Sequence, residues 1–183
     1  MRIVITIPPQ PLVELDEMKV VLGESGNDRD LLIQGLIMAG QSYLDGPKSI
    51  TGFTVAEQSV EVYYDNFDAD IYLPGVTIID PISNIQYLDT DGALQVLTSD
   101  YYALQADGRL ALVSGQTWPT VSTTGDGVVA TYDLGITDDG DPRIEQMRTA
   151  IMMHVKMTLD MADPDLYKRV IEGLVRPLWV ANL

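Results

Sequence analysis

The order of residue patterns along the chain predicts an α+β protein: a small helical bundle of about four helices, two N-terminal and two C-terminal, carrying a β-hairpin-rich insertion. Three observations predict it. Apolar residues recur at helical spacing over 12–45 and again over 142–175. Between these stretches, from about Phe53 to Tyr132, β-branched and apolar residues alternate with polar ones, and Gly, Asn and Asp punctuate the run. Strands and helices do not alternate one by one, which argues against a doubly wound parallel sheet. For 183 residues one domain is expected, 1–183, with an N-terminal arm at 1–11, helices at 12–46, the β-rich insertion at 53–135, helices at 142–176 and a C-terminal tail at 177–183.

The arm holds Ile3, Val4, Ile5 and Ile7 and is stopped by Pro8, Pro9 and Pro11, which can neither continue a ladder nor start a helix interior. Leu12, Leu15, Met18, Val21 and Leu22 follow at helical spacing, with acids at the start and Gly23 as the stop. A second helix is capped by Asn27 or Asp28 and runs to about Asp45, before Gly46-Pro47. It is apolar enough to be packed on more than one side. Val60 to Tyr64 reads as a half-buried strand, and Ile71 to Leu73 precedes the turn Pro74-Gly75. Ile82–Leu88 and Ala93–Thr98 flank Asp91-Gly92, and Tyr101–Leu104 and Arg109–Val113 flank Asp107-Gly108: two hairpins, because Asp-Gly supplies the positive φ of a tight turn. Gly127 to Tyr132 gives the last strand. Acids ahead of Pro142 start a third helix, largely covered around its circumference, and Asp163-Pro164 starts a fourth that should end near Val175, broken at Pro177.

Composition removes whole classes of chemistry. Zero cysteines exclude thiol catalysis, disulfide frameworks and thiolate metal sites, and a single histidine, His154, leaves no His cluster for a metal. No phosphate-binding glycine loop is present, so no cofactor or metal is expected. With 11 basic and 27 acidic residues the net charge is −16, a poor surface for free nucleic acid or anionic membrane. The imbalance is uneven: 1–141 holds 22 acids and 5 bases, 142–183 holds 5 acids and 6 bases. No apolar run approaches a membrane span, and the apolar part of the N-terminus is too short for a signal-peptide core, so a cytosolic origin is expected.

The carboxylate pairs Asp68/Asp70 and Asp89/Asp91 could be nominated for acid–base work, and a small acidic hydrolase is the reading they would support. In so acidic a chain they read better as turn residues. Neither acidic Gly-containing loop has the ligand spacing of a calcium hand. His154 falls within an apolar helical arc and reads as a neutral, hydrogen-bonded packing residue. Met153 lies in the polar arc beside Thr149 and Lys156, where adaptable packing against a partner competes with ordinary core filling. The tail Arg176-Pro177-Leu178-Trp179-Val180, with Leu183 at its end, is apolar and aromatic: it is either docked on a partner or folded back on its own subunit. The arm carries the same alternative. Ile3, Ile5, Ile7, Met153 and Lys156 are therefore candidate subunit-interface residues.

Taken in order, several segments resemble the head-tail connector adaptor family of long-tailed bacteriophages and related gene transfer agents. They are Pro8-Pro9 with Leu15–Leu22 and Lys19; Asp28–Asp45 with Ala39 and Tyr43; Leu73-Pro74 followed by Pro81-Ile82, Ile85, Tyr87, Asp89, Asp91-Gly92, Leu97 and Tyr101; Arg109-Leu110; Trp118-Pro119; Val128–Tyr132 with Gly135; the Pro142 helix; and Leu174–Pro177. The family's arginines after the first helix and before the first strand are absent, with Val21–Glu24 and Lys48 in those regions, and Val60 stands where the family often has Trp.

The resemblance implies a non-enzymatic virion component made in the host cytoplasm and placed at the neck, a ring (dodecameric in the family) between the portal protein and the stopper or tail terminator protein. Helices would form its wall, and Arg176, Pro177, Leu178, Trp179, Val180 and Leu183 would dock on the portal. DNA would pass through the lumen without specific binding, and an acidic lumen would repel it. Another head or tail completion protein is the neighbouring reading; the paired N-terminal helices favour the adaptor.

Overall fold

The computed structural model describes residues 1–67, 71–75, 77–105, 107–122 and 126–180, without the side chains at 80, 81, 83, 179 and 180. The chain divides into two compact units: Met1–Pro8 with Glu57–Gly135, and Pro9–Ala56 with Ile136–Leu183.

The first unit is all β. Strands β1 (Arg2–Ile7), β2 (Gln58–Tyr64), β4 (Ile78–Leu88), β5 (Leu94–Val96) and β8 (Val128–Leu134) form an antiparallel sheet in the order β1-β2-β8-β4-β5. Strands β3 (Ile71–Tyr72), β6 (Tyr102–Leu104) and β7 (Arg109–Leu112) form a second sheet, β3-β7-β6. The period-2 pattern is obeyed closely: Val60 faces Tyr132 and Val62 faces Ala130 across the β2–β8 ladder, all four buried. With Ile71, Leu73, Ile85 and Leu110 they belong to one core fed by both sheets. Both hairpins form at the Asp-Gly positions, with Gly92 at φ +80° and Gly108 at φ +79°. Pro81 sits where the β4–β8 register shifts between Ile79 and Asn84, as a residue without an N–H must in a central strand.

The second unit is helical: α1 (Leu15–Leu22), α2 (Asp30–Leu44), α3 (Pro142–Leu159) and α4 (Pro164–Val180). Met18, Ile33, Ile37, Leu44, Met147, Ile151, Val155, Ile171, Val175 and Leu178 make its core, joined by Phe53 and Val55 from the segment after α2. Gly23 closes α1 in the left-handed conformation, its N–H and that of Glu24 returning to Val20 and Lys19. Asp141 caps α3 by accepting from the Arg143 N–H at 2.9 Å, with Pro142 in the first turn.

One open alternative is decided and two expectations need correction. The N-terminal arm is folded back on its own chain, as an edge strand of the sheet paired from Arg2↔Tyr63 to Ile7↔Ser59. Helix α2 begins at Asp30 with Arg29 before it and no side-chain cap; the Asn27 side chain is engaged instead by the Lys19 ammonium (3.0 Å), which also reaches Asp30 (2.8 Å). Helix α4 is not broken at Pro177 but runs through it to Val180. The proline costs the hydrogen bond to the carbonyl of Gly173. In return, Ile171, Val175 and Leu178 stay on one buried face, each such side chain contributing roughly 1.5–3 kcal/mol.

Candidate docking surfaces

The residues expected at the C-terminus are sorted by α4 itself. Arg176 and Pro177 are exposed. Leu178 is 1% exposed and belongs to the helical core, so it is not a free anchor in the isolated chain. Trp179 and Val180 continue the helical backbone, and Leu183 lies outside the described residues.

The expected subunit-interface residues part company in the same way. Ile3 faces Val62 and packs against the β core, whereas Ile5 and Ile7 are 43% and 61% exposed on β1. Among the described strands β1 pairs with β2 alone, at the edge of the sheet, and Ile3 to Ile7 carry no charge. Met153 is partly buried against the helical core, which is ordinary filling, and the Lys156 ammonium reaches Asp160 at 3.5 Å.

His154 is a packing residue. Its Nδ1 lies 2.5 Å from the Tyr167 hydroxyl and its ring 5.5 Å from that of Tyr43, and burial lowers its pKa. A Cβ on Gly40 would come within 2.9 Å of the imidazole, so α2 and α3 approach closely because position 40 has no side chain. Asp89 builds a turn: its carboxylate accepts from the N–H groups of Asp91 (3.0 Å) and Ala93 (2.9 Å) and from the Gln95 amide (2.8 Å), and these bonds lower its pKa. Asp68 and Asp70 lie outside the described residues.

Two features escaped the sequence. Asp45, just past α2, is buried, and its carboxylate accepts from the Val55 N–H at 2.6 Å and the Ala56 N–H at 3.2 Å. Burial pushes its pKa up to about 7 against the lowering effect of those bonds. Nothing in the pattern of 27 acids distinguishes it beyond its place at a helix end. The second is the outer side of α2. Leu31 is 86% and Met38 65% exposed, one face of the helix seven residues apart, and Leu32 and Tyr43 widen it. Beside it lies a groove of about 300 Å³ lined by Pro11, Val13, Glu14, Leu15, Gln34, Ile37 and Met38. The available signal was the absence of any charge from Leu31 to Leu44, read as a helix covered on several sides; among the described residues one of those sides is exposed.

No helix among the described residues is long and apolar enough to cross a membrane. No protein-family model matches the chain, and no curated protein does. Solved structures do. A chain in the neck of an empty GTA particle computed with C6 symmetry matches with TM-score 0.67 at 11% identity, over 86% of this chain and 84% of that one. A chain in the neck of a native GTA particle computed with C12 symmetry matches with TM-score 0.65 at 12% identity, over 95% of this chain and 94% of that one. A chain in the virion of a native gene transfer agent particle matches with TM-score 0.61 at 14% identity, over 86% and 84%. At these identities the likeness is one of fold: the α+β architecture expected from the sequence is shared, nearly end to end, with chains of gene transfer agent necks.

Proposed function

We propose that this chain is a non-enzymatic structural component of a particle neck, a head-tail connector adaptor that forms a ring below the portal protein and above the stopper or tail terminator protein, with DNA passing through its bore. The observation that carries the reading is the fold match over 95% of this chain and 94% of a chain in the native neck. A ring needs two different complementary faces on each copy, and the described surface offers several candidates: the exposed Ile5 and Ile7 of β1, the uncharged side of α2, and exposed Arg176 and Pro177 on α4. The excess of carboxylates fits a channel that repels phosphate and does not grip it.

Docking on the portal is assigned to the end of α4, through Arg176, Pro177, Trp179, Val180 and Leu183. Leu178 supports that end from inside. A deletion of Leu178–Leu183 is therefore a poor test, since it removes a core residue along with the surface. Point variants separate the two. Capture of a tagged portal ring by the full chain should be weakened at least tenfold by Trp179→Ala or Arg176→Glu while the far-UV circular dichroism stays unchanged. Absence of portal capture by the wild-type chain, or capture indifferent to both variants, contradicts the assignment.

A further inference from the structure

The chain's cations are almost all spoken for. Arg2, Lys19, Arg29, Arg109, Arg143, Arg148, Lys156 and Lys168 form ion pairs at 2.5–3.8 Å, and Lys48 is engaged as well. Arg169 and Arg176 have no carboxylate partner among the described residues, in a chain that carries 27 acids. Both are exposed, seven residues apart on the outer face of α4, with Gly173 between them and Leu166, 47% exposed, beside them. Arg169 reaches only the backbone carbonyl of Asp165, at 3.2 Å. Two unpaired guanidiniums and an exposed leucine on one helix face are the residue types that bind at protein interfaces.

The complementary surface lies in the same helical unit. Glu14 and Asp16 are exposed and without a cationic partner among the described residues. Glu14 shares the groove with Met38, and Leu31 continues that face of α2. One surface offers two unpaired guanidiniums around an apolar spot, with Asp165 and Glu172 one turn before them and Glu172 taken by Lys168 at 3.8 Å; the other is apolar with an acidic margin.

We infer that copies of this chain associate head to tail, the outer face of α4 on one copy (Leu166, Arg169, Arg176) lying on the α1–α2 face (Glu14, Asp16, Met38) of the next. The unpaired guanidiniums of one face match the unpaired carboxylates of the other. The contact is therefore heterologous, the kind that closes into a ring when its rotation allows. The net charge of −16 works against nonspecific approach of two copies, so the two unpaired guanidiniums set the register. Arg176 stands where this contact ends and the C-terminal turn begins. Closure into a ring rests on the adaptor reading above; the pairing of the two faces rests on their charges alone.

The absence of native cysteine makes the test clean. Gly173→Cys places a thiol on the α4 face, where a Cβ meets nothing within 4 Å, and Gln34→Cys places one in the groove. With a short bismaleimide, a mixture of the two full-length variants should yield crosslinked dimers at least tenfold faster than either alone or than a Ser25→Cys control. The double variant should give a ladder of multimers. Reversing charge by Arg169→Glu with Arg176→Glu should slow crosslinking at least tenfold, and adding Glu14→Lys with Asp16→Lys on the partner should restore it. Crosslinking of the mixture no faster than the control, or of Gly173→Cys with itself at the same rate, overturns the inference. Portal capture by the wild-type chain, and its loss in Trp179→Ala, which changes neither face of this contact, are a separate readout, so a failed contact and a failed adaptor reading leave different results.

Discussion

The two units of this chain are both acidic, yet they use their carboxylates differently. Met1–Pro8 and Glu57–Gly135 hold 12 Asp and Glu against Arg2 and Arg109 only; the helical unit holds the other 15 acids and the other 9 bases. In the β unit the described carboxylates largely take neutral partners. Ser59 donates to Asp133 at 2.6 Å, Tyr63 donates to Glu61 at 2.6 Å, and Asp89 ties its own turn. In the helical unit they fasten elements to one another. Arg148 donates to both oxygens of Glu17 at 2.6 Å and also to the Leu12 carbonyl, linking α3 to α1. Lys19 joins α1 to the first turn of α2, and Asp45 holds the strand-like segment at Val55 and Ala56. The β unit is thus specified by alternation and turn chemistry, whereas the helical unit depends on cross-chain clasps and on burial of its last helix.

That contrast can be broken at its strongest point by Leu178→Ala. If the end of α4 is a core element, the variant should lose about 3 kcal/mol of stability, in the range of buried leucine truncations. Urea unfolding followed by helical circular dichroism measures it, and a loss below about 1 kcal/mol would return the last turn to the status of a free tail.

Asp45 sharpens the comparison through pH. Its carboxyl group has a folded pKa raised to about 7, above its ordinary value, so the folded state holds the proton more tightly than the unfolded chain. The stability it confers is complete below the unfolded pKa of about 4 and is lost as pH rises through 7. From about pH 5.5 to about pH 8.5 the wild-type chain should lose about 2 kcal/mol more than Asp45→Asn, which has no charge to desolvate. Identical pH slopes for the two proteins would mean that Asp45 is ionised and solvated throughout.

The smallest effect belongs to Asp141. Its carboxylate is held down to about 2 by the Arg143 guanidinium and N–H, so its contribution is present above pH 4 and fades as pH falls through 2. Asp141→Ala should cost about 1 kcal/mol near neutral pH, the usual value of an N-cap, and should shift the helical signal without altering the β unit.

What could be read from the residues follows the same division. The β unit was legible nearly strand by strand, because Val60 and Val62 alternate with polar neighbours and Asp91-Gly92 and Asp107-Gly108 dictate local geometry. The exception was β1, whose partner β2 lies more than fifty residues away in sequence and leaves no local mark. In the helical unit the existence of four helices was plain from periodicity. The end of α4 was not, because Pro177 is a strong local stop signal that only tertiary burial of Leu178 overrides. The exposed side of α2 was not legible: the uncharged stretch from Leu31 to Leu44 announces a helix to be covered without saying which side is left open. The unpaired state of Arg169 and Arg176 emerges only after the ion pairs of the other cations are placed in three dimensions.

The central claim is a place in a particle neck. Its most direct measurement is the location of the labelled chain in purified particles by electron cryomicroscopy. The account predicts a ring of label at the junction of head and tail, between the portal and the first tail component. Label on the capsid shell or along the tail, or particles that assemble and join tails normally without the chain, would contradict it.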